Sequence, residues 1–495
     1  MPTRRSPCNE LADEEFINIA YKSPVATKCI GGGSRLIRRL RLRNFRSIFN
    51  SDITFEPLTV LIGANATGKS NVIKALAFVS DVARNRLEPA VLARGGYREL
   101  LPRALGATTQ GAKLEIELEA HLARPDKYPE DSLPIAVHHA ITLGSSTIHP
   151  FRVVAEKLRF ADVLRVAAAL RPVPEGSPST RSDVPLADVV FARNSIGNVE
   201  LKLPGRLGSK SAALLQGWLG FGYAESTSPD QLKDILKSLV SGPKPKRPGY
   251  SPIDRPRSTH ASPKSFWDPG QALSFVPEIV EYISEIGNMQ RYDLLLNELR
   301  SEQQSGFTSI AYDGRYMPSA TAYVKSKNPQ RWTVVMETLR DIAPHIRDVG
   351  VHRLRSAKDF VGFLEEATAQ PVESWEASDG TLRALAILIS LERHPADSTI
   401  LIEEPELGLH PWAVRRLMAH VQQAIKERNI QVIMTTHSTQ VLESASPEQV
   451  LVASRSPEEG TTLKTLKEVA PLHTIERGDI GRLWDKGLLG GIPNE

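Results

Sequence analysis

Cysteine is nearly absent: Cys8 and Cys29 are the only two in 495 residues. Both precede the first motif, which excludes a disulfide framework and any four-cysteine metal site within the chain and fits a reducing cytoplasm. Long apolar runs are missing as well. No stretch approaches the roughly 18 to 20 apolar residues of a membrane-spanning helix, and Met1 to Glu15 is charged where a signal peptide would be apolar, so a cytoplasmic protein without a membrane partner is expected. Charge of one sign is scarce too. Lys and Arg total 61 against 57 Asp and Glu, and a formal +4 does not by itself imply nucleic acid. There is no internal repeat and no sustained heptad pattern, which disfavours a long coiled coil.

With 41% hydrophobic residues, the chain has enough apolar material for at least one large core. Residues 1–34 lack periodicity and end in Gly31, Gly32 and Gly33, which reads as a flexible extension with a glycine hinge. Residues 35–225 begin with two strands between Leu36 and Ile62, then a helix from Asn71 to Arg84 with Val72, Ile73, Leu76 and Val79 on one stripe. Alternating stretches between Lys113 and Pro204 predict antiparallel strands, with a helix near Ala161 to Leu170. Residues 226–330 open on a basic, proline-rich tract to about Gly270, unsuited to a packed element, followed by a helical region from Phe275 to Leu299. Residues 331–495 return to α/β character, with helices at Arg331 to Ile346, Gly380 to Glu392 and Trp412 to Glu427. Strands are expected at Thr399 to Ile402, Gln431 to Met434 and Gln449 to Val452.

Two motifs carry chemistry. Gly63-Ala64-Asn65-Ala66-Thr67-Gly68-Lys69-Ser70 matches a phosphate-binding loop and lies between an expected strand and an expected helix that opens at Asn71. In such a loop the backbone N–H groups face the phosphates. Lys69 reaches the β- and γ-phosphates, and Ser70 supplies a hydroxyl for Mg²⁺. An accidental glycine turn is the alternative, which the flanking elements oppose. Downstream, the apolar strand Thr399 to Ile402 delivers Glu403 and Glu404 at its C-terminal end, where ligands gather on parallel sheets. One acid suits the metal's water shell and the next suits a general base for in-line hydrolysis of a phosphoanhydride, although an acidic turn would look similar in isolation.

Glu403 to Pro411 (EEPELGLHP), Thr435-Thr436-His437-Ser438, Ser378 to Arg383 (SDGTLR) and Asn44-Phe45-Arg46-Ser47 occur together. With the phosphate loop, this set resembles the ABC-type ATPase core of the RecF, SMC and overcoming-lysogenisation proteins. The resemblance covers about residues 36–120 and 330–460. It implies an α/β fold of the P-loop NTPase, ABC-ATPase type: a mixed, partly parallel sheet, an antiparallel β subdomain and a partly helical insert. It further implies ATP and Mg²⁺ as cofactors, with Ser70 and Glu403 at the metal, Glu404 as general base, His437 as γ-phosphate switch and Arg46 approaching the nucleotide. Ser378 and Gly380 would form a signature segment serving ATP held by a second copy, and Leu409-His410 a loop crossing between subunits. Glu403 departs from the aspartate common in SMC proteins. The Q-loop glutamine is unassigned, with Gln110 a weak candidate.

No TOPRIM nuclease segment and no Cys-x-x-Cys hook accompany these motifs. The leading expectation is therefore an ATPase of DNA repair or anti-phage defence that works by ATP-dependent head dimerisation. The alternative is a nucleotide-gated scaffold or sensor holding a separately encoded effector, a nuclease or toxin, with slow ATP turnover. DNA is a possible partner through Arg39, Arg41, Arg43 and the Lys/Pro tract, but a solvated face and an ordinary linker explain those residues as well.

Overall fold

Strands buried on both faces read as continuous apolar runs, and their alternate residues still point to opposite sides of the sheet. The computed structural model, which describes residues 37–105, 111–122, 136–146, 151–161, 189–193, 199–202, 265–266, 277–469 and 479–489, shows this in its central strands. The expected extension at 1–34, the basic tract to about Gly270 apart from Ser265 and Phe266, the helix near 161–170 beyond its first residue, and Gln110 lie outside the described residues. Phe266 is buried in the core and its N–H donates to Glu156 Oε1 at 2.7 Å, so the end of that tract packs where no packed element was expected.

The strands are β1 (Ile37–Phe45), β2 (Ile48–Thr54), β3 (Leu58–Ile62), β4 (Lys113–His121), β5 (Ala136–Gly144), β6 (Arg152–Phe160), β7 (Val189–Arg193), β8 (Val199–Lys202), β9 (Gln290–Tyr292), β10 (Gln303–Gln304), β11 (Ile346–Arg353), β12 (Lys358–Glu365), β13 (Val372–Glu373), β14 (Thr399–Glu403), β15 (Gln431–Thr435), β16 (Val450–Ser456) and β17 (Gly460–Thr465). Thirteen of them form one sheet in the order β8-β7-β6-β5-β4-β1-β2-β17-β16-β3-β15-β14-β9. From β9 to β16 neighbours run parallel, and from β17 to β8 every pairing is antiparallel. The antiparallel part thus continues the parallel part edge to edge. Strands β10 to β13 form a second, four-stranded sheet.

The longer helices are α1 (Lys69–Asn85), α2 (Pro277–Asn288), α3 (Met317–Lys327), α4 (Pro329–Ile342), α5 (Asp379–Arg393) and α6 (Pro411–Arg428). Leu61, Leu401 and Ile433 point to the core that holds Val72, Leu76 and Val79 of α1. Their strand neighbours Val60, Ile402 and Met434 point to the core that holds Leu385 of α5 and Leu417 of α6. The sheet is therefore sandwiched between α1 on one face and α5 with α6 on the other. Gln431 closes the seam to the start of β1: its side-chain amide accepts from Ile37 N–H at 3.0 Å and donates to Ile37 C=O at 2.8 Å.

One expected element is corrected. The helical region expected over 275–299 is interrupted, because Gln290 to Tyr292 form β9 against β14 and, of the described residues there, Pro277–Asn288 and Leu296–Arg300 are helical. Local apolar periodicity does not report the vacant edge of β14, and the sheet hydrogen bonds there override helix propensity. The arginines of β1 are paired with acids of the neighbouring strands. Arg39 and Arg41 pair with Asp52 at 2.5 and 2.9 Å, Arg41 also with Glu117 at 3.3 Å, and Arg43 with Glu115 at 3.6 Å. These are cross-strand ion pairs on a partly solvated face, with the positive charge already matched by acids of β2 and β4.

Candidate nucleotide-binding site

Three neighbouring parallel strands bring the motifs together. The phosphate loop follows β3, the pair Glu403-Glu404 ends β14, and Thr436-His437 follows β15, which lies between the other two. All three leave the sheet at their C-terminal ends, the side on which open α/β sheets gather ligands.

The loop is held in shape before any anion arrives. Lys69 Nζ donates to Gly63 C=O at 2.7 Å and to Ala64 C=O at 3.0 Å, and Thr67 Oγ1 donates to Ala64 C=O at 2.9 Å. Gly68 has φ +106°, and a Cβ there would sit 2.2 Å from Thr461 Oγ1, so only glycine fits. A hydroxyl relay fixes the loop from outside. Asn71 Nδ2 donates to Ser47 Oγ at 2.7 Å, and Thr461 Oγ1 donates to Thr67 C=O at 2.6 Å. The 2.7 Å contact between Ser47 Oγ and Thr461 Oγ1 is thereby left for the Ser47 proton. Arg455 adds a bond to Ala66 C=O at 3.1 Å. Asn65 and Ala66 stay exposed at the loop tip, while Ser70 lies in the first turn of α1, where N–H groups are free of intrahelical partners.

Carboxylates face this loop. Burial lowers the Lys69 ammonium below its ordinary value, and the opposing pull comes from Glu404 and Glu406. Glu404 has a left-handed backbone, φ +46°, uncommon for a non-glycine residue and typical of functional turns; its N–H donates to Thr435 C=O at 3.0 Å. His437 Nε2 lies 4.0 Å from Glu404 Oε1. Burial and then the Lys69 charge lower the His437 imidazole, with Glu404 opposing. Burial also raises the Glu406 carboxyl, although the His437 N–H donates to it. Lys69, Glu404 and His437, read separately from sequence, thus share one electrostatic site.

Glu403 is placed differently from its neighbour. Its Oε1 accepts from Arg291 Nε of β9 at 2.6 Å. Arg46, on the turn between β1 and β2, has a buried Nε without a hydrogen-bond partner. Burial lowers its guanidinium, and the charges of Arg94 and Arg291 add to that while Glu99 opposes.

Ser378 and Gly380 open α5. Ser378 Oγ accepts from Thr381 N–H at 3.2 Å as the helix cap. A Cβ on Gly380 would lie 2.5 Å from Gly408 C=O, so the start of α5 packs directly on the loop that follows Glu404. Among the described residues, no hydrogen bond joins Ser378 or Gly380 to the phosphate loop of the same chain. His410 caps α6, its Nδ1 accepting from Trp412 N–H at 3.3 Å. Sequence reading missed Arg291, Thr461 and Arg455, which stand in no motif. It also gave no role to Glu406 and Arg383, although both lie inside quoted ones. Burial lowers the Arg383 guanidinium, while Asp379, Asp293 and Glu404 oppose that.

Residues 251–443 match the family described as "AAA domain, putative AbiEii toxin, Type IV TA system", and residues 36–133 match that described as "AAA ATPase domain". A 90-residue stretch is 32% identical to the DNA replication and repair protein RecF of Arthrobacter sp. (strain FB24), covering 18% of this chain and 22% of that protein. A stretch of 101 residues is 29% identical to the protein of the same name from Clavibacter michiganensis subsp. michiganensis, covering 20% and 25%. The chain thus spans 22% to 25% of the length of these curated relatives. Among solved structures, the SmcHead bound to the C-winged helix domain of ScpA has TM-score 0.38 at 12% identity, over 87% of this chain and 97% of that one. The SMC head domain from Thermotoga maritima has TM-score 0.34 at 12% identity, over 87% and 98%. No helix among the described residues is long and apolar enough to cross a membrane.

Proposed function

We propose that this chain, which is similar to RecF/SMC-like ATPases of the ABC type, binds ATP with Mg²⁺, closes as a dimer of ATPase heads and hydrolyses the nucleotide in DNA repair or anti-phage defence. The observation that carries this reading is the convergence of Lys69, which opens α1 after β3, with Glu404 and His437 at the ends of the neighbouring strands β14 and β15, His437 Nε2 lying 4.0 Å from Glu404 Oε1. A cation for the phosphates, a base for water and an imidazole beside it form the minimum set for in-line phosphoryl transfer to water.

In this reading the loop N–H groups and Lys69 hold the β- and γ-phosphates. Glu404 takes the proton of the attacking water as its oxygen bonds to the γ-phosphorus and the bridging P–O bond to ADP breaks. His437, kept neutral by burial and by Lys69, can donate to the γ-phosphate. The hydroxyl of Ser70 and the carboxylate of Glu403 are hard oxygen donors suited to Mg²⁺, which would offset phosphate charge. Ser378 caps α5 and Gly380 packs on the Gly408 loop, and among the described residues neither bonds to the phosphate loop of its own chain, which supports their service to a second copy.

The family description that includes a putative toxin of a toxin–antitoxin system supports defence, and the RecF-like stretch supports repair. The functional test is ATP turnover by the purified protein with and without duplex and single-stranded DNA, alongside phage plating on cells that express it. Turnover that DNA stimulates supports the reading. Absence of ATP binding under all conditions overturns it.

A further inference from the structure

Arg291 lies on β9 in parallel register with β14, with Leu401 beside Arg291 and Ile402 beside Tyr292. Its guanidinium is shared by two acids. Nε donates to Glu403 Oε1 at 2.6 Å and Nη2 donates to Asp293 Oδ2 at 2.7 Å. The Tyr312 ring lies 5.8 Å from the guanidinium carbon, and Asp293 N–H donates to Tyr312 C=O at 2.7 Å, which fixes the second acid independently of the first. The two carboxylates differ in solvation: the Glu403 side chain is 9% exposed and that of Asp293 is 45% exposed.

A carboxylate in a charge-assisted bond to a guanidinium is already neutralised. A divalent cation approaching the same group meets both the occupied lone pair and the repulsion of a fixed positive charge. Asp293 provides the exit, because the same guanidinium already reaches it through a different nitrogen. We propose that Arg291 is a positioning residue that holds the Glu403 carboxylate in the absence of metal and yields it to Mg²⁺ as Mg-ATP enters, passing its charge to Asp293. The inference rests on the reading of Glu403 as the metal carboxylate. In consequence Arg291 sets how much Mg²⁺ the site needs, and metal-free ATP meets an incomplete site.

The test is equilibrium binding of a fluorescent ATP analogue by the full-length protein, titrated with Mg²⁺ from an EDTA-treated start. Wild type is compared with Arg291→Gln and Asp293→Asn. Arg291→Gln removes the competing charge and is expected to lower the half-saturating Mg²⁺ concentration about tenfold, the size of one charge-assisted bond. Asp293→Asn removes the alternative partner and is expected to shift that concentration upward. A merely structural ion pair would weaken binding in both variants and leave the two Mg²⁺ midpoints together, which overturns the proposal. Equal loss of affinity with and without Mg²⁺ in Arg291→Gln also overturns it, by making Arg291 a phosphate ligand. If Arg291→Gln does not fold, the Asp293→Asn midpoint decides alone: a rise supports the proposal and no rise rejects it. Wild-type binding that ignores Mg²⁺ rejects the metal reading of Glu403 together with the inference built on it, whereas Mg²⁺-dependent binding with unshifted variants rejects the inference alone.

Discussion

Glu406 Oε1 accepts the backbone N–H of His437 at 2.7 Å, joining the loop after β14 to the end of β15. The Thr436 side chain also hydrogen-bonds to this carboxylate. The bond sets the separation between Glu404 and His437, which approach each other from those two segments.

Glu406→Gln keeps an acceptor for His437 N–H, whereas Glu406→Ala leaves that donor without it. Turnover is expected to survive in Glu406→Gln and to fall about tenfold or more in Glu406→Ala, with ATP affinity changed less than kcat. Steady-state kinetics of the two variants check this. Equal loss in both would assign the effect to charge rather than to position.

Lys69→Ala removes the cation that Gly63 and Ala64 carbonyls hold in readiness. ATP affinity is expected to drop roughly 10- to 100-fold, the range for hydrogen bonds to charged groups. Calorimetric titration of a folded variant measures it, and unchanged affinity contradicts the placement of the phosphates.

Glu404→Gln preserves shape and removes the base. It is expected to bind ATP and to hydrolyse it about 10²- to 10⁴-fold more slowly. ATP trapped in this way is expected to stabilise the closed dimer, read by light scattering. Mixed dimers of Ser378→Arg with Lys69→Ala contain one site with both an intact loop and an intact signature, so partial recovery of turnover is the expected result. No recovery in verified mixed dimers rejects sharing between copies.

Gly380→Ala places a methyl group 2.5 Å from Gly408 C=O. The start of α5 or the loop after Glu404 must shift, at a cost of about 1 to 3 kcal/mol. A lower melting temperature together with a fall in kcat larger than the change in ATP affinity is expected, because either shift disturbs the contact between the start of α5 and the loop that follows Glu404.

Acid sensitivity has a specific source in His394, whose imidazole burial lowers to about 3, with the charge of Arg428 next in effect. The unfolded chain takes up a proton near pH 6.5 that the folded chain refuses. Stability is therefore unaffected by this group above that pH and declines as pH falls from about 6.5 toward 3. The slope is about 1.4 kcal/mol per pH unit, or roughly 2 kcal/mol by pH 5. His394→Asn retains a polar partner for Ser398. Denaturant titrations from pH 7 to 5 are expected to show a shallower decline in that variant.

Sequence alone determined the order strand, phosphate loop, helix, because Leu58 to Ile62, Gly63 to Ser70 and Val72 to Val79 are adjacent and their periodicities are local. It likewise determined that Glu403 and Glu404 stand at the end of a buried strand, since the apolar run stops at two acids. Only the tertiary structure decided what those acids meet. Arg291 reaches Glu403 across 112 residues because β9 fills the edge of β14, and Thr461 reaches the phosphate loop across 394 residues because β17 pairs beside β2. The β1 arginines carry the same lesson: alternation put them on one face, but pairing with Asp52, Glu115 and Glu117 made that face an ion-pair ladder. Sheet register joins residues distant in the chain, and no local pattern encodes which strand fills which edge.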